Sequence, residues 1–202
     1  MGKEALEKVF LYWLCHLPSA GALQIRLIGE EAGGFREAYY IEGTQLWKKG
    51  ILKKETDVHR FDDWKKEFSR LEEEYYRLSE KGICFITPLD EMYPSRLYSV
   101  YDYPMGLYVK GNLPQEDKAT AAVIGARNCT AYGREAANYM ARELAAAGIQ
   151  IISGMALGID GAGHEGALNG GGMTYAVLGC GVDQCYPRSN YELYETIPFH
   201  GG

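Results

Sequence analysis

The sequence predicts an α/β chain in which a small all-helical segment precedes a parallel sheet. Three observations predict it. Up to Leu78 the apolar residues recur at helical spacing. After Gly82 the period shortens to that of strands. From Ala121 onward, three short apolar runs each end in a glycine-bearing loop and give way to a helix-like stretch. Strands and helices alternating at this length imply parallel strands joined by right-handed crossovers.

Residues 4–16 read as a helix burying Leu6, Val9, Phe10, Trp13 and Leu14. Leu17-Pro18-Ser19-Ala20-Gly21 is a turn, and residues 22–29 and 33–42 read as two short helices meeting at Gly33-Gly34. The strongest helical pattern is Phe61, Trp64, Phe68, Leu71, Tyr75 and Leu78, with spacing 3, 4, 3, 4, 3 and a stop at Gly82. It reads as a packing seam, and the lysines Lys48, Lys49, Lys53 and Lys54 read as a solvated connection before it. Ile83-Cys84-Phe85-Ile86-Thr87 is a buried-strand pattern closed by Pro88. Tyr93-Pro94 and Tyr103-Pro104 punctuate a loop, and Leu107-Tyr108-Val109 reads as a strand. Strands over 121–125, 149–153 and 174–179 then precede helices over 133–147, over 159–169 and from near Asn190. In the first of these helices Ala137, Met140, Ala141 and Leu144 form the expected buried face, and its alanines allow close approach to a sheet. This gives a small helical domain over residues 1–80 and a parallel-sheet domain over 81–202. No strand pattern follows the third helix before Gly202, so the sheet reads as an incomplete, C-terminally truncated one.

With 47% hydrophobic and 24% charged residues, the chain has the composition of a globular protein able to bury a core. No apolar stretch approaches the roughly 18–20 residues that span a bilayer, and Met1-Gly2-Lys3-Glu4-Ala5 lacks a signal peptide's apolar region. Five cysteines without CxxC spacing, Cys15, Cys84, Cys129, Cys180 and Cys185, fit a reduced, cytoplasmic setting and no metal site. The net charge of −6 argues against a broadly electrostatic nucleic-acid binder and leaves room for a local positive groove. After Ala119 there is no lysine, and the cations are Arg127, Arg134, Arg142 and Arg188. A phosphate site in this half therefore relies on few arginines and many backbone amides.

The three loops are Gly125-Ala126-Arg127-Asn128, Ser153-Gly154-Met155-Ala156-Leu157-Gly158 and Gly179-Cys180-Gly181-Val182-Asp183. Loops of this kind emerge on one edge of a parallel sheet and surround a crevice suited to an anion, usually phosphate. They match neither a P-loop, which needs GK[ST], nor the dinucleotide GxGxxG, and HExxH is absent. No nucleophile–base pair stands out, and His164 reads as a packing residue, so no catalytic residue and no cofactor are assigned. Arg127 is placed to grip a phosphate with its guanidinium fork, Ser153 to offer a hydroxyl, and Asn128, Gly125, Gly154, Gly158, Gly179 and Gly181 to line the crevice. Asp160 reads as a helix cap that holds loop shape.

These blocks resemble the DprA/Smf family of DNA-processing proteins. Gly125-Ala126-Arg127-Asn128-Cys129-Thr130-Ala131-Tyr132-Gly133 is similar to its G-S-R-x-x-T-x-Y-G pattern. Ser153-Gly154-Met155-Ala156-Leu157-Gly158-Ile159-Asp160, with His164, is similar to its second block. The segment from Thr174 through Gly179, Gly181 and Asp183 to Tyr186-Pro187 and Asn190 is similar to its third. Tyr93-Pro94 and Leu107-Tyr108-Val109-Lys110-Gly111 fit the family's lead-in, and the N-terminal helices resemble its small SAM-like or helix-hairpin-helix-like domain. The resemblance implies an extended Rossmann-like domain that binds single-stranded DNA without ATP and helps load the RecA recombinase onto it during transformation or recombination. It also implies a homodimer of the full-length protein, with Arg127 on a DNA phosphate and the Ser153-Gly154 and Gly179–Gly181 loops lining the groove. In such a binder Tyr132 and Tyr186 are candidates for stacking on bases, and packing is an equal alternative for both. Leu157, Glu165 and Met173 stand where relatives often carry Lys or Arg, which implies weaker and less salt-dependent binding here. The alternatives from other classes are a LOG-like phosphoribohydrolase, whose PGGxGTxxE-like loop does not occur in the chain, and a nucleotide-sensing module.

Overall fold

The computed structural model describes residues 3–202; Met1 and Gly2, the first residues of the N-terminal segment read for a signal peptide above, lie outside them. The chain divides into two compact units, Met1–Leu107 and Tyr108–Gly202. Among the described residues, no helix is long and apolar enough to cross a membrane.

The first unit contains α1 (Lys3–Cys15), α2 (Ala22–Ala32), α3 (Phe35–Tyr40), α4 (Gly43–Lys48), α5 (Glu55–Trp64), α6 (Phe68–Arg77) and the strand β1 (Ile83–Ile86). Its core is aromatic and aliphatic, with Tyr12, Trp13, Leu14, Leu46, Phe61 and Leu71 buried. Phe10 and Phe68 stack with ring centroids 4.5 Å apart. The seam expected as one helix is two, α5 and α6, joined by a 3-10 turn over Lys65–Glu67. The reason is local. The Trp13 indole N–H donates to the Trp64 carbonyl at 3.0 Å, while Trp64 Nε1 donates to the Trp13 carbonyl at 3.1 Å. Beside this exchange the Phe68 amide bonds to the Lys65 carbonyl, the tighter pattern of a 3-10 turn. The helix α4 is an element that the sequence reading placed in a connection; the lysines around it are exposed.

At the meeting point of α2 and α3, the Glu7 carboxylate accepts from the Phe35 and Arg36 amides at 2.8 and 3.2 Å. Orphan amides at a helix start attract anions. Here a side chain of α1 fills that role.

The second unit takes in Tyr108–Lys110 of the strand β2 (Leu107–Lys110), then β3 (Thr120–Ala122), α7 (Ala131–Ala146), β4 (Gln150–Ser153), α8 (Ile159–Asn169), β5 (Thr174–Ala176) and α9 (Tyr191–Thr196). The sheet order is β3-β4-β5, all parallel, with Ala121 opposite Ile151 and Ile151 opposite Thr174. After α9, His200–Gly202 run parallel to β5: the Thr174 amide donates to His200 O at 3.0 Å and the Ala176 amide to Gly202 O at 2.8 Å. Gly201 O also accepts from the Asn112 amide at 2.7 Å. The third crossover is thus received by backbone alone, which leaves no apolar alternation to read in the sequence.

The buried stripe of α7 is Ala137, Ala141 and Ala145; Ala141 and Ala145 cluster with Ile151 and Ala167, flanked by Leu144. Met140, expected on that face, is 60% exposed. Small residues prevail because α7 and α8 lie in near contact: a Cβ on Gly166 would sit 2.2 Å from the Asn138 carbonyl oxygen. A second apolar cluster, Met155, Leu193 and Ile197, seats α9 with help from Leu168, Ala176 and Leu178.

His164 of α8 is fully buried, as its reading as a packing residue requires. Its Nδ1 lies 2.7 Å from Thr174 Oγ1, which itself donates to the Ile151 carbonyl at 3.0 Å. Because the threonine proton is committed, His164 Nδ1 must be the donor in this relay, and the ring is the neutral Nδ1–H tautomer. The relay ties α8 to β5 and β4. Burial pushes the imidazole down to about 4 from 6.5, opposed by the nearby Asp160 charge. Between those values the unfolded chain binds the proton and the folded one does not, so stability rises with pH. Acidifying from above pH 6.5 to pH 4 is expected to cost roughly 3 kcal/mol through this group. Urea unfolding across that window would measure it, and His164→Asn should flatten the slope.

Candidate nucleic-acid interface

The three glycine loops all follow the C-terminal ends of β3, β4 and β5, and side-chain contacts join them. Asp160 is the hub. One carboxylate oxygen accepts from the Gly125 amide at 3.3 Å and the other from the Gly154 amide at 3.2 Å. The residue is buried and stands second in α8, after Gly158, so its carboxylate holds two loops together rather than capping its own helix start. Gly158 completes the junction of the first two loops. Its φ is +78°, and a Cβ there would lie 2.3 Å from Ala126 O and 2.5 Å from Arg127 O. Only glycine fits both that conformation and that approach.

The third loop is tied in from beyond its end. Asn190 Nδ2 donates to the Met155 and Ala156 carbonyls of the second loop at 2.8 and 3.2 Å. Met155 has φ +62°, an uncommon conformation for a side-chain-bearing residue, and its buried side chain lies in the α9 cluster. The Tyr194 hydroxyl donates to Val182 O at 2.9 Å, steadying the third loop from α9.

Of the residues assigned to the crevice from sequence, Arg127 and Asn128 are exposed. Among the described residues, Arg127 makes no hydrogen bond or ion pair. Gly179 and Gly181 are exposed on the third loop, and open space surrounds the point where a Cβ on Gly179 would lie. Tyr132 and Tyr186 present their rings to solvent at 80% and 69% exposure. Gly125, Gly154 and Ser153 face inward chemistry. The two glycine amides point at Asp160, and the buried Ser153 hydroxyl donates to Val123 O at 2.5 Å, joining the ends of β3 and β4. These three fix loop shape. Of the positions where the resemblance implies lost cations, Glu165 pairs with Arg134 at 2.9 Å and Leu157 is exposed.

Sequence reasoning gave Asn190 no role. An asparagine just before a helix suggests an N-cap, but its side chain makes no cap bond and reaches the second loop instead. Nothing local in the sequence distinguishes those two uses.

A family model described as DNA recombination-mediator protein A matches residues 84–202. Among curated relatives, DNA processing protein DprA of Bacillus subtilis is 36% identical over 122 residues, which are 60% of this chain and 41% of that protein. The Streptococcus pneumoniae DprA is 40% identical over 109 residues, 54% of this chain and 38% of the relative. Protein Smf of Escherichia coli is 37% identical over 131 residues, 61% of this chain and 35% of the relative. The chain therefore spans less than half the length of the curated relatives it matches. The X-ray structure of Streptococcus pneumoniae DprA aligns with TM-score 0.74 and 27% identity, covering 95% of this chain and 64% of that one. A structure describing the single-stranded DNA binding mode of Helicobacter pylori DprA aligns with TM-score 0.52 and 32% identity, over 59% of this chain and 53% of that one.

Removing the hub tests the geometry directly. Asp160→Ala leaves two loop amides without their acceptor and is expected to destabilise the second unit by about 1–3 kcal/mol. Denaturant titration reads this loss, and an unchanged midpoint would contradict the role given to the carboxylate.

Proposed function

The chain belongs to the DNA recombination-mediator protein A family, and from that premise we propose that it is a non-catalytic binder of single-stranded DNA. On this reading it shields an unpaired strand and helps deliver it to the RecA recombinase, working as a homodimer in the full-length protein. The observation that carries the reading is Arg127: an exposed, unpaired guanidinium on the first loop, beside the junction with Gly158. A guanidinium fork matches a phosphate's oxygens. Tyr132 and Tyr186 add exposed rings, and base stacking on aromatic side chains is tolerant of sequence.

Catalysis is not needed for any part of this. The buried His164 has its Nδ1 proton engaged by Thr174 Oγ1, and Asp160 is engaged by two amides, so both serve the scaffold.

In fluorescence anisotropy with a labelled oligothymidylate, Arg127→Ala is expected to weaken binding. It should also reduce the slope of log affinity against log salt by about 0.7, the share of one single-strand phosphate. A variant binding like wild type at every salt concentration would remove Arg127 from the interface.

A further inference from the structure

We propose that the helical unit carries a nucleic-acid contact of its own, in which an unpaired strand stacks a base on Trp47 and lays phosphates on Lys48 and Lys54. This goes beyond the loop-cluster reading, because it uses residues of the first unit and holds or fails independently of Arg127. From Gly43 to Lys54 the sequence has four lysines and no acidic residue, in a chain whose net charge is −6. Charge complementarity points to a polyanion. The aromatic ring within the stretch points to a single strand, since only an unpaired base offers its face for stacking.

Trp47 is 48% exposed, and among the described residues neither its ring nor its indole N–H has a partner. The other two tryptophans are engaged: each donates its indole N–H to the other's carbonyl. Two of the four lysines are engaged as well, Lys49 with Glu31 at 3.1 Å and Lys53 Nζ with Gly50 O at 2.5 Å. Lys48 and Lys54 are exposed, and among the described residues neither pairs with a carboxylate.

The backbone that presents these side chains is fixed at both ends. Helix α4 closes on Gly50, whose φ is +69°. The Gly50 amide donates to Trp47 O at 2.8 Å and the Ile51 amide to Leu46 O at 3.0 Å, the paired bonds of a glycine-terminated helix. Gln24 Nε2 of α2 donates to Ile51 O at 2.9 Å, and Leu46 and Leu52 are buried. At the far end the Lys54 amide donates to the Asp57 carboxylate at 3.1 Å, and the Asp57 amide to Lys54 O at 3.0 Å, where α5 starts. Gly43 presses α4 onto α5: a Cβ there would lie 2.9 Å from Val58 O. A surface held in this way loses little conformational freedom when a ligand settles on it.

The test uses the 202-residue chain and an oligothymidylate titrated across a sodium chloride series. Binding should quench tryptophan emission, and Trp47→Phe should remove that quenching. Trp47→Ala should weaken affinity by roughly 5- to 150-fold, the worth of one stacked base. Lys48→Gln and Lys54→Gln should each reduce the slope of log affinity against log salt by about 0.7, whereas Lys48→Arg should keep it. Thermal melts of the lysine variants should overlay that of the wild type, since neither ammonium group has an internal ionic partner. Quenching that survives Trp47→Phe, with slopes unchanged in both glutamine variants, would overturn this contact and leave the Arg127 reading standing. Losses in these variants with none in Arg127→Ala would support this contact and remove Arg127 instead. Emission that responds to vesicles of phosphatidylglycerol and not to the oligonucleotide would assign the surface to lipid headgroups and overturn the proposal.

Discussion

One carboxylate holds the site in shape. Asp160 receives the Gly125 amide on one oxygen and the Gly154 amide on the other, so the first two strand-to-helix turns share a single buried acceptor. Ser153 reinforces the same junction by donating to Val123 O, and Gly158 lets the second loop press on the first. Open α/β sheets tend to bind anions where such turns converge. In this chain the innermost anion position is occupied by a residue of the protein. What faces outward is Arg127, Arg188, two tyrosine rings and the open third loop.

The same device recurs in the helical unit. Glu7 accepts from two amides at the start of α3, in the turn between α2 and α3. That turn is thereby closed on itself.

The fold was legible where strands, glycine loops and helices alternate at regular spacing. Helix α8 runs over Ile159–Asn169, as the spacing indicates, and β4 and β5 begin within a residue of their expected starts. Legibility failed where a tertiary hydrogen bond outweighed local preference. The reciprocal Trp13–Trp64 exchange breaks a helix whose apolar spacing runs on unbroken, and no pattern within residues 61–78 could reveal a partner at residue 13. Met140 lies off the buried stripe because α7 meets α8 through alanines and Gly166, a constraint set by inter-helix distance. In the site, Arg127 and the tyrosines are exposed as a contact role demands. For Ser153, Gly125 and Gly154 residue type alone could not separate lining a groove from building its floor. Asn190 was invisible for a related reason: its partners are carbonyls 34 and 35 residues away.

A phosphate contact through the single guanidinium of Arg127 also accounts for how an acidic chain can handle DNA. With a net charge of −6, long-range attraction is not available to it. At this contact's slope of about −0.7, raising salt from 50 to 200 mM changes affinity only about 2.6-fold, or roughly 0.6 kcal/mol. Each base stacked on a tyrosine contributes about 1–3 kcal/mol and is insensitive to salt by comparison. On the proposed reading, Tyr132 and Tyr186 therefore supply most of the binding energy at that site, and Arg127 fixes the path of the strand. Stacking exploits the π-face that every base has, whereas hydrogen bonds to base edges would select a sequence. A mediator that must accept whatever strand it meets is better served by the first.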